Sequence, residues 1–292
     1  MSILSLHARL LCACDCAYEI AEEGNFSPVS SYRPPVGFAP EVHAIIQKGL
    51  HACLVGSIPE GILIAFRGTL YPFGPGAWIQ DWAHDFEVKP VSLPGNLGSV
   101  HSGFWSGLEL LWPFLAKTVD AIDPQQERAL FLTGHSKGGA LATLAAWRAR
   151  SLWNRPVGEV VTFASPRVGD DAFRKLYEAA GISQTRYEYG DDLVPHLPPD
   201  LRLVALLTRL PQLPRAFPNY DYQHVGKLLY QAEGGSLPGD PLSVERERVK
   251  RLARLFAKGP RGLAVMVEAH VRIEDGIARA SRGYEQAVGL QL

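Results

Sequence analysis

The 292-residue chain balances 29 Lys and Arg against 30 Asp and Glu, a net charge of −1 with pI near 6.8. That balance lacks the basic footprint of a nucleic-acid binder, and 47% hydrophobic with 20% charged residues excludes a disordered chain. At this length a fold buries about three quarters of its unfolded surface and needs neither disulfides nor metal to hold it.

No stretch reaches the ~18 apolar residues of a membrane span. Met1 to Leu11 has no basic n-region, and Arg9 interrupts its apolar run, so no secretory signal is read and a cytoplasmic protein is expected. Residues 3–21 space Leu4, Leu10, Leu11, Ala17 and Ile20 as a helix does. Cys12, Cys14 and Cys16 fall inside it, Cys53 outside it, and no paired knuckles or His-rich partner accompany them. Buried free thiols are expected rather than a zinc site.

Residues 24–40, rich in Pro, Ser and Gly, read as a loop. His51 to Val55 and Ile62 to Phe66 read as a β-hairpin around Ser57 to Gly61. Phe66-Arg67-Gly68-Thr69 closes the second strand, and Pro72, Gly74, Pro75 and Gly76 follow. Residues 77–87, taken as a helix, place Trp78, Trp82 and Phe86 on one face. Such a stripe either packs in the core or roofs a pocket. Ser102 to Val119 reads as a helix kinked or started near Pro113.

Ala129 to Leu132 is a short apolar run, Gly139 to Ala149 an Ala/Leu-rich helix, and Gly134-His135-Ser136-Lys137-Gly138 lies between them. Further on come a strand over 159–164, a helix over 171–180 ended by Gly181, and a strand over 185–189. Residues 196–240 are Pro-rich and give no clear element. A charged helix over 243–258 carries Val249, Leu252, Leu255 and Phe256 on one stripe, and residues 271–288 read as a last helix. That stripe suits a surface helix packing one side or, as an alternative, a helix on a membrane surface. Alternating strands and helices predict an α/β fold: a mostly parallel or mixed sheet with helices on both faces. One domain over residues 1–292 is expected.

Gly134-x-Ser136-x-Gly138 between a strand and a helix is the setting of a nucleophile elbow. The glycines let strand and helix approach, and Ser136 is held at the carboxyl edge of the sheet. The Lys137 N–H lies at a helix N-terminus, where an anion is favoured. A serine hydroxyl needs a base, and the base needs an orienting acid. In the α/β-hydrolase arrangement they follow in the order serine, acid, histidine. Asp191 and Asp192 leave the strand over 185–189, whereas Asp170 and Asp171 suit a helix N-terminus. His196 is too near the acid in sequence, and His224 lies in the unassigned stretch. His270 directly precedes the last expected helix, where the arrangement places the base. Thr69, after Gly68, is placed to give a second oxyanion donor.

These segments resemble the class 3 lipase family, whose familiar members are fungal triacylglycerol lipases. The matching stretches are Phe66-Arg67-Gly68-Thr69, Trp78-Ile79-Gln80-Asp81, Val100 to Phe104, Gly134 to Ala142, Phe163 to Gly169 and Asp192 to Pro199. The resemblance implies an α/β-hydrolase fold, with Ser136 as nucleophile and Asp192 rather than Asp191 as acid. It also implies Thr69 and the Lys137 N–H as oxyanion donors and a lid over residues 70–87, with Trp78, Trp82 and Phe86 toward the acyl chain. It fades after Pro199, so His270 rests on its position alone. Lys137 stands where the fungal enzymes carry an apolar residue, and its side chain is expected to point away from the triad. The expected activity is hydrolysis of a lipid or small-molecule ester, with transient contact with a lipid surface and no metal or organic cofactor. Acyl transfer or amide hydrolysis on the same triad, and a non-catalytic binding protein of the same fold, are the alternatives.

Overall fold

The computed structural model describes residues 4–20, 40–69, 90–95, 97–201, 204–205, 221–232, 241–271, 284 and 287–289. In chain order these form α1 (Leu6–Tyr18), β1 (Glu41–Lys48), β2 (His51–Ile58), β3 (Gly61–Phe66), β4 (Pro90–Ser92) and β5 (Ser99–His101). Then come α2 (Ser102–Ile122), β6 (Leu130–His135), α3 (Lys137–Ser151), β7 (Val157–Phe163), α4 (Asp171–Ala179) and β8 (Gln184–Tyr189). A single 3-10 turn (Val194–His196), β9 (Lys227–Gln231), α5 (Pro241–Ala257) and α6 (Pro260–Val271) complete the order.

Ile62, Ile64 and Phe66 of β3 pack to one side, and Leu63 and Ala65 to the other, all fully buried. A strand apolar on both faces must lie inside a sheet covered on both sides. The sheet has seven strands in the order β1-β2-β3-β6-β7-β8-β9. β1, β2 and β3 run antiparallel, while β3, β6, β7, β8 and β9 run parallel. It is the mixed sheet that the pattern predicts. α2 and α3 cover the Ile62–Ile64–Phe66 face, and α1 covers the Leu63–Ala65 face.

Local chemistry explains the boundaries. Ser5 caps α1, its Oγ accepting from the Ala8 N–H at 3.1 Å. Asp170 caps α4 in the same way, accepting from the Phe173 N–H at 2.8 Å. Cys12, Cys14 and Cys53 are buried free thiols and Cys16 is a half-buried one. Among the described residues no helix is long and apolar enough to cross a membrane.

The structure corrects the sequence reading at α2, β1 and His270, and it places β9 inside the stretch 196–240 that gave no clear element. α2 runs unbroken through Pro113, because Leu108, Leu111 and Leu115 hold it against the sheet on the far side from the exposed proline. β1 was not legible: it is an edge strand with little burial, so its apolar alternation is weak. His270 does not sit on a loop ahead of the last helix; it lies in the final turn of α6. Gly259, with φ +60°, ends the preceding helix, and Pro260 opens a new one. A Cβ on Gly262 would lie 1.8 Å from the Leu255 carbonyl oxygen, so α5 and α6 meet closely there. Leu252, Leu255 and Met266 pack between them. The apolar stripe of α5 is thus spent on its neighbour rather than left for a membrane surface. Of the helix expected over 271–288, residues 272–283 lie outside the described residues.

Leu108 and Leu110 of α2 test this packing directly. Leu108 is fully buried and Leu110 is 53% exposed. Leu108→Ala should cost about 2–5 kcal/mol in urea denaturation, and Leu110→Ala less than about 0.5 kcal/mol. Equal losses would contradict the assigned face of α2.

Candidate active site

Ser136 joins β6 to α3 with φ 55° and ψ −129°, a left-handed backbone that L side chains avoid. Close backbone contact forces it. A Cβ on Gly134 would lie 2.2 Å from the Gly138 carbonyl, and a Cβ on Gly138 would lie 2.2 Å from the Phe66 oxygen. The Ser136 N–H donates to the Phe163 carbonyl at 2.9 Å, and the Ser136 carbonyl accepts from the Gly139 N–H at 2.9 Å. The serine is therefore fixed by β3, β6, β7 and the start of α3 together.

His270 Nε2 lies 2.9 Å from Ser136 Oγ, and His270 Nδ1 lies 2.9 Å from Asp192 Oδ2. Ser136, His270 and Asp192 are each no more than 1% exposed. With the carboxylate as acceptor, Nδ1 carries the proton and Nε2 accepts from the serine hydroxyl, an assignment made from the partners. Asp192 Oδ1 accepts from the Val194 N–H at 2.9 Å, which leaves Oδ2 turned to the ring. Asp191 turns the other way and forms an ion pair with Arg251 of α5, at 2.8 and 2.9 Å. The two adjacent aspartates thus face different elements.

The remaining candidate histidines stand apart. His224 Nε2 lies 3.9 Å from Glu188, and the His196 carbonyl accepts from Arg167 at 2.6 Å. Both belong to a buried charged cluster in which Glu188 meets Arg248 at 2.6 Å and also Arg186. Burial pushes the Glu188 carboxyl up, but Arg248 and Arg186 outweigh it and hold it below its ordinary range. Burial, and then the nearby arginines, keep His196 and His224 well below the ordinary imidazole pKa.

Phe66-Arg67-Gly68-Thr69 runs beside the elbow. A Cβ on Gly68 would lie 2.9 Å from the His135 carbonyl oxygen, and Thr69 follows, half-buried. Lys137 is the first residue of α3, at its positive end. The Lys137 side chain leads away from the triad: Nζ donates to the Leu50 carbonyl at 3.2 Å, on the β1–β2 turn. Trp78, Trp82 and Phe86 lie outside the described residues, as does the rest of 70–87. Two neighbours of the triad escaped the sequence reading, Tyr18 and the ring of His135. His135 is one of the two variable positions of the glycine motif and Tyr18 ends a distant helix, so the motif gives neither side chain a role.

Beside these groups lies His51, whose pKa falls from the usual 6.5 to about 4 through burial, then through the Lys137 and Arg67 charges. Such a histidine binds its proton more readily when unfolded. Stability is therefore full above pH 6.5 and is lost as pH falls toward 4. Glu188, with a lowered carboxyl pKa, adds its loss only below its ordinary value of 4.5. The urea midpoint should fall as pH drops from 6.5 to 4, and His51→Gln should make that fall shallower. A flat midpoint over this range would contradict the buried neutral histidines.

The sequence profile described as lipase (class 3) matches residues 63–202. A lipase of Caenorhabditis elegans is 34% identical over 149 residues, which are 50% of this chain and 40% of that protein. A lipase of Rhizomucor miehei is 34% identical over 152 residues, 49% of this chain and 39% of that protein. The match thus spans about two fifths of either relative. The solved Rhizomucor miehei triacylglyceride lipase superposes with a TM-score of 0.54 at 22% identity, covering 78% of each chain. That likeness extends past the matched segment and carries the α/β-hydrolase fold. Residues 63–202 thus match the class 3 lipase family and are similar in sequence to its Rhizomucor miehei member.

Proposed function

We propose that this protein is a serine carboxylic ester hydrolase that cleaves lipid esters through an acyl-enzyme on Ser136. The observation that carries this is the unbroken line from Ser136 Oγ through both His270 nitrogens to Asp192, with each step 2.9 Å. The match of residues 63–202 to the class 3 lipase family and the strained elbow support it.

The reaction follows from the donors and acceptors. Ser136 Oγ attacks the ester carbonyl while His270 Nε2 takes its proton. Asp192 stabilises the imidazolium through Nδ1–H and fixes its tautomer. The N–H groups of Thr69 and Lys137 receive the oxyanion, aided by the helix dipole of α3. As the carbon–oxygen bond breaks, His270 Nε2–H protonates the leaving alcohol. Water then attacks the acyl-enzyme by the same route and frees the acid. Each proton goes to a named side chain, so the proposed sequence needs no metal or organic cofactor.

The acyl chain of a lipid ester requires an apolar surface near Ser136. We assign that role to residues 70–87, with Trp78, Trp82 and Phe86 as its apolar face, from their spacing in the sequence. Substrate reaches them by transient contact with a lipid surface. Trp82→Ala should then weaken hydrolysis of medium-chain p-nitrophenyl esters more than of the acetate, which has little chain to bury. Equal loss on both would reject this role.

Ser136→Ala should abolish p-nitrophenyl ester hydrolysis with the fold intact by circular dichroism. Asp192→Asn should lower kcat by roughly 10³–10⁴-fold, whereas Asp191→Asn, which loosens α5 without touching the imidazole, should lower it by about tenfold or less. A folded Ser136→Ala protein that keeps more than about 5% of activity would overturn the nucleophile. Reversed behaviour of the two aspartates would overturn the acid.

A further inference from the structure

We propose that Tyr18 and His135 form a positioning pair that fixes the plane of the His270 ring, Tyr18 acting through His135. The inference rests on the reading of His270 as the base. Its geometry does not depend on that reading.

Hydrogen bonds to Ser136 and Asp192 hold the two nitrogens of His270 along one line. They leave the ring free to tilt about that line. A flat group on the ring face removes this freedom. His135 supplies it: its ring lies 4.9 Å from that of His270, with 25° between planes. His135 precedes Ser136 directly, so the backbone that presents the nucleophile also presents the stacking ring.

His135 in turn needs an anchor, and Tyr18 provides one. The Tyr18 hydroxyl lies 2.7 Å from His135 Nδ1. Tyr18 is the last residue of α1, whose inner side is packed on the sheet through Leu10, Leu11 and Ala17. The hydroxyl occupies room left by Gly68, where a Cβ would come within 1.9 Å of it. One phenol thus touches the oxyanion segment and the histidine that stacks on the base. The apolar packing of α1 does not need that hydroxyl; the bond to His135 does.

The charge state fits the role. Burial, then the charge of His270, hold the His135 pKa well below the ordinary value, so its ring is neutral. A neutral ring face attracts the imidazolium that forms on His270 during acyl transfer, whereas a protonated one would repel it.

The test uses Tyr18→Phe, His135→Ala and the double variant in the full chain, with p-nitrophenyl butyrate as probe and circular dichroism as the check of folding. Tyr18→Phe should lower kcat about tenfold with KM within about twofold, less than a full ångström of misplacement costs. His135→Ala should lower kcat at least as much, and the double variant no further, because one contact serves both residues. The downfield NMR signal of the His270 Nδ1 proton should be sharp in wild type and broadened in Tyr18→Phe. Wild-type kcat and a sharp proton in Tyr18→Phe would overturn the pair. Losses that multiply in the double variant, or that fall on KM alone, would overturn it too. If wild type hydrolyses no ester, the proposed function fails, and the Nδ1 signal in Tyr18→Phe still decides this inference.

Discussion

The structure depends on a backbone contact rather than on a side chain. At the elbow, the α carbon of Gly138 is packed against the Phe66 carbonyl and that of Gly134 against Gly138 itself, each with no room for a Cβ. Those contacts exist because β3, β6 and β7 are parallel neighbours in register, with Phe66 opposite Gly134 and Gly134 opposite Thr162. The left-handed backbone of Ser136 is costly by itself. It persists because three strands and a helix fix the chain on both sides of it. The serine therefore presents its hydroxyl at the strand ends without any arrangement of its own side chain.

Asp192 and His270, the acid and base of the proposed mechanism, reach that hydroxyl by a longer route, and charge secures it. Asp192 follows β8 directly, but His270 comes from α6, far along the chain. Two ion pairs connect these parts: Arg248 of α5 meets Glu188 of β8, and Arg251 of α5 meets Asp191 just beyond it. α5 packs on α6 through Leu252, Leu255 and Met266, with Leu193 against the same cluster. The helix carrying the base is thus registered to the strand carrying the acid. The Arg248–Glu188 pair is buried, so it adds little net stability but breaking it strands a charge, whereas Arg251–Asp191 is partly exposed. Their role here is alignment. Asp191 and Asp192 divide the work between them, one holding α5 and the other holding the imidazole.

How far the sequence revealed this follows from where the information is local. The hairpin of β2 and β3, the elbow and the strand before Asp192 are set by short-range patterns: apolar runs bounded by glycine, proline and aspartate. Ser136 was legible because strain demands glycine at fixed offsets from it. Choosing Asp192 over Asp191 needed the family resemblance, because both are good turn residues and only long-range contacts separate them. His270 could be named only by its order in the chain, and its setting was misread. The glycine–proline break at Gly259 and Pro260 reads as the end of one helix more readily than as the start of another. β1 and β9 were lost because strands at sheet margins alternate weakly. Tyr18 was beyond reach, since a phenol at the end of a helix resembles any other until the fold brings it to His135.

The central claim is that Ser136 is a nucleophile made reactive by His270 and Asp192. The most direct test is to treat the native protein with a fluorophosphonate probe and locate the adduct by peptide mass spectrometry. The phosphorus should bond to Ser136 Oγ with loss of fluoride, at a single site, and Asp192→Asn should slow labelling by about a hundredfold or more. A folded protein that stays unlabelled, or that carries its adduct on another residue, would contradict the account.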